Sequence, residues 1–178
     1  MKFLRVNGFT PNIMTEWTQA GLVMFYVPGA QVYIDGRSQQ VYDEKHYLSY
    51  SWLISYPGKF EEKAEYLEQT GTEAVLLRRS PALQNLIQAV NRSGEWLPAL
   101  QTPRALLFAH AGAPFIADLA RRERAGELWW PDEPETRVAR GRLLARTTPH
   151  DFERAYALWK SAVDERPILA VECLDLMR

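Results

Sequence analysis

An aspartate and an arginine stand two residues apart in the stretch QVYIDGRSQQVYDEKHY, residues 31–47. Asp-Gly between two alternating apolar runs is a strong signal of a β-hairpin turn. An acidic residue that follows a parallel strand lies instead where open α/β sheets hold their ligands. The residues alone favour a structural role, in which Gly36 permits a tight turn that Asp35 and Arg37 fix. The alternative places the same pair in a ligand-binding crevice at the end of the strand.

No other group of residues has the spacing of a known catalytic or metal-binding motif. His46, His110 and His150 are far apart in the sequence, and none belongs to a metal-ligand pair such as HxH or HExxH. The stretch TPHD, residues 148–151, predicts a helix start with Thr148 as its N-cap. A nucleophile elbow, a phosphate-binding loop and a dinucleotide-binding fingerprint are missing. We therefore predict no catalytic residue, no cofactor and no metal site.

Strands and helices alternate over the first 113 residues. This alternation predicts parallel βαβ units, and the last two strands predict an antiparallel hairpin at the sheet edge. We therefore predict an α/β domain over residues 1–113, with three layers and a mostly parallel sheet of four or five strands. The predicted strands cover residues 3–9, 31–34, 73–79, 95–103 and 104–112, and the predicted helices cover residues 15–27 (with Thr15 as N-cap), 43–56, 59–71 and 82–94.

From residue 114 onward, every segment has a helical pattern. Ala155, Trp159, Ala162 and Pro167 stand at the spacing of the second half of a tetratricopeptide repeat. In that pattern small residues permit close approach of two helices, an aromatic side chain fills the space between them, and proline ends the pair. We predict a helical appendage over residues 114–178 that contains one tetratricopeptide-like hairpin, whose simplest role is packing.

Two adjacent tryptophans, Trp129 and Trp130, precede the acidic, proline-rich sequence PDEPE. Adjacent tryptophans are hard to bury completely, because each combines a large ring with a polar N–H. One interpretation is that they wedge the helical appendage against the α/β domain. The other is that, together with Trp159, they form a contact surface for a partner or a membrane interface.

The composition excludes several classes of protein. A formal net charge of −1 gives no reason to expect nucleic acid as a partner. The single cysteine, Cys173, excludes an internal disulfide and a cysteine-based zinc cluster, and its apolar surroundings predict a buried filler. No run approaches the roughly 20 apolar residues that span a bilayer, and the first residues lack the apolar region of a signal peptide. The sequence therefore predicts no transmembrane segment.

Residues 16–50 contain a tryptophan, a Gly-Leu pair, a proline turn, Ile-Asp-Gly-Arg and a downstream tyrosine. This succession resembles the soluble extracytoplasmic C-terminal region of bacterial GT-C-type membrane glycosyltransferases. These are relatives of the lipid-linked mannosyltransferases that use polyprenyl-phosphate sugars. The resemblance extends over about residues 3–110. The positions that match the family pattern are Trp17, Gly21, Leu22, Pro28, Asp35, Gly36, Arg37 and Tyr42.

The resemblance implies an α/β domain in which Ile34 lies in a parallel strand and Asp35, Arg37 and Tyr42 form a ligand-binding group beside a helix start. The family's transmembrane helices and the acidic residues that carry glycosyl transfer have no counterpart here, so no catalytic residue is implied. A membrane protein or membrane complex is implied as the partner. The resemblance also implies an extracytoplasmic location, whereas the lack of a signal peptide leaves a cytoplasmic location open.

Three hypotheses on function follow. In the first, the chain is a non-catalytic accessory or docking domain, and Trp129, Trp130 and the helical tail provide its contacts. In the second, the chain is a small transferase or hydrolase that uses Asp35 and Arg37 in a crevice. In the third, it is a structural subunit of a large assembly, which predicts a broad apolar patch. A patch centred on the two tryptophans favours docking, whereas a pocket centred on Asp35 favours chemistry.

Overall fold

The computed structural model describes residues 1–147 and 150–174. Over these residues, five strands share one sheet, and helices precede, connect and follow them. In chain order the elements are α1 (Lys2–Asn7), β1 (Asn12–Thr15), α2 (Trp17–Tyr26), β2 (Gln31–Val32), α3 (Ser38–Val41), α4 (Glu44–Ser55), α5 (Phe60–Gln69), β3 (Ala74–Arg78), α6 (Gln84–Arg92), β4 (Trp96–Gln101), β5 (Ala105–His110), α7 (Pro114–Ala125), α8 (Pro134–Arg146), α9 (Phe152–Glu165) and α10 (Ala170–Leu174), with 3₁₀ turns at Pro81–Leu83 and Pro167–Leu169.

The strands lie in the order β2-β1-β3-β5-β4. β1 pairs in parallel with both β2 and β3, whereas β5 pairs antiparallel with both β3 and β4. The predicted α/β class is therefore confirmed, and β4 and β5 form the predicted antiparallel hairpin at the sheet edge. The sheet is mixed: β1, β2, β3 and β4 run in one direction, and β5, which lies between β3 and β4, runs against them.

The prediction of a strand over residues 3–9 is wrong. Phe3, Leu4 and Asn7 are buried together at helical spacing in α1. Gly8 ends this helix in the left-handed conformation, with φ 71°, at the position where glycine is favoured. A run this short contains too few apolar residues for their spacing to distinguish a helix from a strand. Its secondary structure therefore depends on the residues against which it packs.

Two predicted boundaries also change. Thr15 is the last residue of β1 rather than a helix N-cap, and its hydroxyl donates to the Leu76 carbonyl on β3 at 2.8 Å. Glu16 takes the N-cap position of α2 instead. Only two residues of the predicted strand over 31–34 pair as β2, so Ile34 lies just beyond the strand, where it is buried.

Hydrophobic side chains cover both faces of the sheet. Successive strand residues point to opposite faces, and accordingly Ile13 and Met14 belong to two different core clusters. The cluster of Ile13 is closed by α1, α2, α7 and Leu143 of α8. The cluster of Met14 is closed by α4, α5 and α6. The helix that follows β1 therefore packs on one face, and the long helices that follow β2 pack on the other.

A third core cluster joins α8, α9 and the segment that begins at Pro167, and it includes the buried Cys173. Trp159 of α9 lies at its centre, and the indole N–H donates to the Val138 carbonyl of α8 at 3.2 Å. Gly141 of α8 lies directly beneath the same indole ring. The absence of a side chain at this position lets the two helices approach closely.

The start of α9 is fixed by Asp151, whose carboxylate accepts a hydrogen bond from the backbone N–H of Arg154. The predicted cap, Thr148, and the proline that follows it lie outside the described residues. Among the helices that the structure describes, none is both long enough and apolar enough to span a membrane.

Candidate functional site

The carboxyl ends of β2, β1 and β3 meet at one edge of the sheet, because these three strands run in the same direction. The connection from β1 to β2 crosses one face through α2, and the connection from β2 to β3 crosses the other face through α4 and α5. Crossovers on opposite faces create a topological switch point between β1 and β3. Open α/β sheets bind their ligands outside such a point.

Glu16 and Arg78 lie at this switch point, the first directly after β1 and the second at the end of β3. Glu16 is 8% exposed, and its carboxylate accepts from Arg78 Nε at 2.9 Å and from Arg78 Nη2 at 2.5 Å. The backbone N–H of Trp17 donates to the Tyr50 hydroxyl at 3.0 Å, which ties the start of α2 to α4. Sequence analysis missed the Glu16–Arg78 pair, since its members are 62 residues apart and belong to no motif.

Asp35, Arg37 and Tyr42, predicted as a ligand-binding group, lie together just after β2. The hairpin interpretation of Asp-Gly is wrong, because β2 pairs in parallel with β1 and leads into α3. Arg37 binds the Asp35 carboxylate in a bidentate manner, with Nε–Oδ1 at 3.1 Å and Nη2–Oδ2 at 2.7 Å. The backbone N–H of Arg37 donates to Oδ1 at 2.8 Å, and the Tyr42 hydroxyl donates to Oδ2 at 3.3 Å.

These contacts define what Asp35 can do. Asp35 is 1% exposed, and both of its carboxylate oxygens accept hydrogen bonds. The hydrogen bonds from Arg37 lower the pKa of Asp35 from 3.8 to about 2, against the opposite effect of burial. A carboxylate with so low a pKa is a poor general base near neutral pH. The group therefore fixes the turn between β2 and α3, and the Arg37 side chain, 61% exposed, is the part that faces solvent.

Replacing Asp35 by asparagine is expected to lower the free energy of unfolding at neutral pH by about 1 kcal/mol, since solvent around Arg37 weakens the ion pair. The folded-state pKa lies below the unfolded value, so the wild-type protein loses this contribution as the pH falls from about 4 to about 2. The stability difference between the Asp35→Asn variant and the wild type should therefore shrink over that range. Urea unfolding followed by circular dichroism at neutral and acidic pH measures it. A difference that stays constant on acidification would contradict this assignment.

A stack of three rings adjoins the Asp35 group. His46 lies between Tyr33 and Tyr42, with ring centroids 4.3 Å and 4.8 Å away. Its Nε2 lies 2.7 Å from the Tyr33 carbonyl oxygen, so this nitrogen carries a proton and donates it. Burial and a hydrogen bond with Tyr66 raise the pKa of Tyr33. The histidine of this group is thus held by packing and by a backbone carbonyl, and it makes no hydrogen bond to Asp35 among the described contacts.

The three tryptophans predicted as a contact surface lie in different settings. Trp159 is 6% exposed and lies between α8 and α9. Trp130 is partly buried, and its ring N–H donates to Glu123 of α7. Trp129 is 36% exposed, but its backbone N–H and carbonyl both bind the side-chain amide of Asn7, at 2.8 Å and 2.9 Å. These contacts agree with the wedge interpretation, in which the two adjacent tryptophans join the helical region to α1.

Comparisons of the chain with protein-family models, curated proteins and solved structures found no match. Within residues 1–147 and 150–174, no group of three or more His, Cys, Asp or Glu side chains is arranged to hold a metal ion. The chain's own surfaces are therefore the guide to its function.

An exposed apolar surface lies on α2. The ten residues of this helix, WTQAGLVMFY, contain no charged side chain. Ala20 and Val23 point into the core and are fully buried. The outward side forms what is named here the α2 face, five large side chains that are between 37% and 75% exposed: Trp17, Leu22, Met24, Phe25 and Tyr26. The uncharged run is visible in the sequence, but it predicts burial, and only the packing shows that half of the helix remains open.

Proposed function

We propose that this chain is a non-catalytic accessory domain that docks, through the α2 face, on an apolar surface of a membrane-embedded partner protein. The α2 face is the observation that carries the proposal. A helix that is apolar on nearly all sides is normally buried on nearly all sides. In this chain, Phe25 at the middle of the outward side is 75% exposed. A second apolar surface that covers it would complete the burial.

The composition of the α2 face favours a protein partner over a lipid surface. The rings of Phe25 and Tyr26 meet edge to face with centroids 5.0 Å apart, and the Arg5 guanidinium lies 5.7 Å from the Tyr26 ring. Aromatic anchors with an arginine beside them are the usual composition of protein interfaces. A helix that lies on a membrane surface carries several Lys or Arg residues along its polar side, and α2 carries none.

The resemblance of residues 16–50 to the extracytoplasmic region of GT-C-type glycosyltransferases supplies the class of partner. In this proposal the partner is a polytopic, glycosyltransferase-like membrane protein or a complex that contains one, and the chain works on its extracytoplasmic side. The fold is then a three-layer α/β domain over residues 1–113 with a tetratricopeptide-like hairpin of α8 and α9. Core clusters on both sheet faces and the packing of Trp159 on Gly141 support this arrangement.

The alternative of a small transferase or hydrolase at Asp35 has less support. Acid–base chemistry needs a group that can gain or lose a proton near the working pH, whereas Arg37 holds the pKa of Asp35 at about 2. A structural subunit of a large assembly would use the same α2 face, so the identity of the bound partner separates that hypothesis from membrane docking.

Exchange of Phe25 for glutamate tests the proposal. A charge placed in an apolar interface costs several kcal/mol, so the Phe25→Glu variant is expected to lose its partner. Phe152→Glu is the matched control, because Phe152 on α9 is 64% exposed and lies outside the α2 face. The tagged proteins are purified from their native cells in mild detergent, and the bound proteins are identified by mass spectrometry. A polytopic membrane protein should accompany the wild type and Phe152→Glu in stoichiometric amount, but not Phe25→Glu.

Three results would overturn this proposal. The first is recovery of no stoichiometric partner with the wild type, and the second is a partner that Phe25→Glu retains. The third is binding to protein-free lipid vesicles that depends on Phe25, which would identify a lipid surface as the occupant. Circular dichroism must show that both variants are folded.

A further inference from the structure

The outward side of α9 and of the turn after it carries large apolar side chains that remain mostly exposed. Tyr156 of α9 is 57% exposed, Ile168 in the 3₁₀ turn is 78% exposed, and Val171 of α10 is 67% exposed. A tetratricopeptide-like hairpin cannot bury its apolar surface alone, and a neighbouring unit normally covers it. The described part of the chain contains one hairpin of this kind, so its outward side has no such neighbour.

A small cavity lies between α9 and α10, beside these side chains. Its volume is about 230 Å³. Trp159 and Cys173, both almost fully buried, line it together with the exposed residues Tyr156, Lys160 and Asp164. Sites for small molecules usually have volumes of roughly 300–1,000 Å³. This cavity is therefore better matched to a side chain from another protein surface than to a free ligand.

Four residues of this surface stand at intervals of four: Tyr156, Lys160, Asp164 and Ile168. Residues four apart form a ridge along one side of a helix, so the first three share one side of α9. Ile168 continues the interval in the turn after the helix. The order along the chain is apolar, positive, negative, apolar. In the opposite direction it is apolar, negative, positive, apolar, so the ridge complements an antiparallel copy of itself.

The two charged side chains of the ridge face solvent. Lys160 and Asp164 are exposed, and neither side chain forms a hydrogen bond or an ion pair with another residue in the described part of the chain. Glu165, on a different side of the same helix, instead pairs with Arg137 of α8. The charges of the ridge are thus open to a partner, whereas the charge of Glu165 serves the packing of the hairpin.

We propose that a second copy of this chain covers this surface and forms a two-fold symmetric dimer through antiparallel α9 helices. A two-fold interface uses the same patch of both chains, so the patch must complement itself. Ala162 is midway between Lys160 and Asp164 in the sequence, and also midway between Tyr156 and Ile168. With the two-fold axis beside Ala162, Lys160 faces Asp164 of the second copy. Tyr156 then faces Ile168 of the second copy, and each contact occurs twice.

The expected dimer is weak. It involves one side of a 14-residue helix and the turn that follows, and interfaces at the small end of the size range are typical of transient complexes. We therefore expect a dissociation constant of about 10–100 μM, which permits exchange between monomer and dimer. The α2 face takes no part in this contact, so the inference does not depend on the docking function.

Sedimentation equilibrium of the purified chain from about 1 μM to about 500 μM tests the proposal. The wild type should pass from monomer to dimer over this range. Asp164→Lys places like charges opposite each other at two points of the dimer, and it should raise the dissociation constant by about tenfold or more. Combining Lys160→Asp with Asp164→Lys restores opposite charges, and it should return the dissociation constant to within about threefold of the wild-type value.

The control for the charge change is Glu61→Lys. Glu61 is an exposed acid in the first turn of α5, outside the ridge, and its replacement changes the net charge by the same amount as Asp164→Lys. This variant should dimerise as the wild type does. Tyr156→Glu should also weaken the dimer, and it decides the question if circular dichroism shows that a charge variant of the ridge is unfolded.

Several results would overturn the assignment. These are a wild type that stays monomeric at the highest concentration, a charge exchange that does not restore the dimer, and equal effects of Asp164→Lys and Glu61→Lys. Loss of the dimer in Phe25→Glu would place the contact on the α2 face instead. If the proposal is correct, Phe25→Glu dimerises normally and Asp164→Lys still binds the membrane partner, so failure of the docking proposal and failure of this one are distinguishable.

Discussion

Replacing Gly141 by alanine is expected to lower the free energy of unfolding by about 3 kcal/mol. A methyl group at this position would lie 2.1 Å from Nε1 and 2.6 Å from Cδ1 of Trp159. The indole ring is rigid and buried, so it must move away and give up its hydrogen bond to the Val138 carbonyl. Urea unfolding followed by circular dichroism measures the loss.

The sign of this effect is the informative part. Glycine to alanine inside a helix normally stabilises a protein by about 0.5–1 kcal/mol, because alanine has less backbone freedom to lose. Gly21 of α2 is the matched control, since a methyl group there would meet no atom within 4 Å. Gly21→Ala should therefore stabilise the protein while Gly141→Ala destabilises it. If Gly141→Ala and Gly21→Ala change the free energy of unfolding in the same direction, α8 and α9 are less closely packed than the structure shows.

The elements that could be predicted from sequence are those with local start and stop signals. Helix α5 ends shortly before Gly71, and α6 follows the pair Ser80-Pro81, both as predicted. Helix α1 carries no comparable start signal. The spacing of the apolar residues in FLRVNGF fits a helix and a strand equally well. Its helical form depends on Phe3 and Leu4 packing into the core under the sheet, which no local pattern reveals.

The same distinction holds for the candidate sites. Asp35 and Arg37 could be predicted as a pair because they lie two residues apart and meet through a local turn, whereas Tyr42 joined the predicted group only through the resemblance. The Glu16–Arg78 pair could not, because it depends on the register of β1 against β3. The exposure of α2 could not be predicted either, because it depends on which helices pack beside it.

Among the substitutions that remove a charge, replacement of Glu123 is expected to lower the free energy of unfolding the most. It is 1% exposed on α7, and its Oε1 accepts from Arg140 of α8 at 2.8 Å and from Arg154 of α9 at 3.3 Å. Its Oε2 accepts from the Trp130 ring N–H. One buried carboxylate thus joins three helices and the tryptophan segment.

Glu123→Gln is expected to lower the free energy of unfolding by about 3 kcal/mol, because removing one member of a buried ionic group leaves its partners without compensation. The Arg140 and Arg154 side chains are 21% and 37% exposed, so water reaches both guanidinium groups and keeps the loss at the lower end of the usual range.

The control for this prediction is Glu127→Gln, just beyond the end of the same helix. Glu127 is 51% exposed and meets Arg121 and Arg122 only at 3.7 Å and 3.8 Å, so its loss should cost less than about 0.5 kcal/mol. Chemical denaturation of both variants gives the comparison. If the two substitutions cost the same, Glu123 contributes no more than a surface ion pair, and the apolar contacts of α7 and α8 alone hold the helical region to the sheet. A large difference instead makes this carboxylate the link through which Trp130, α8 and α9 are fixed to the α/β core.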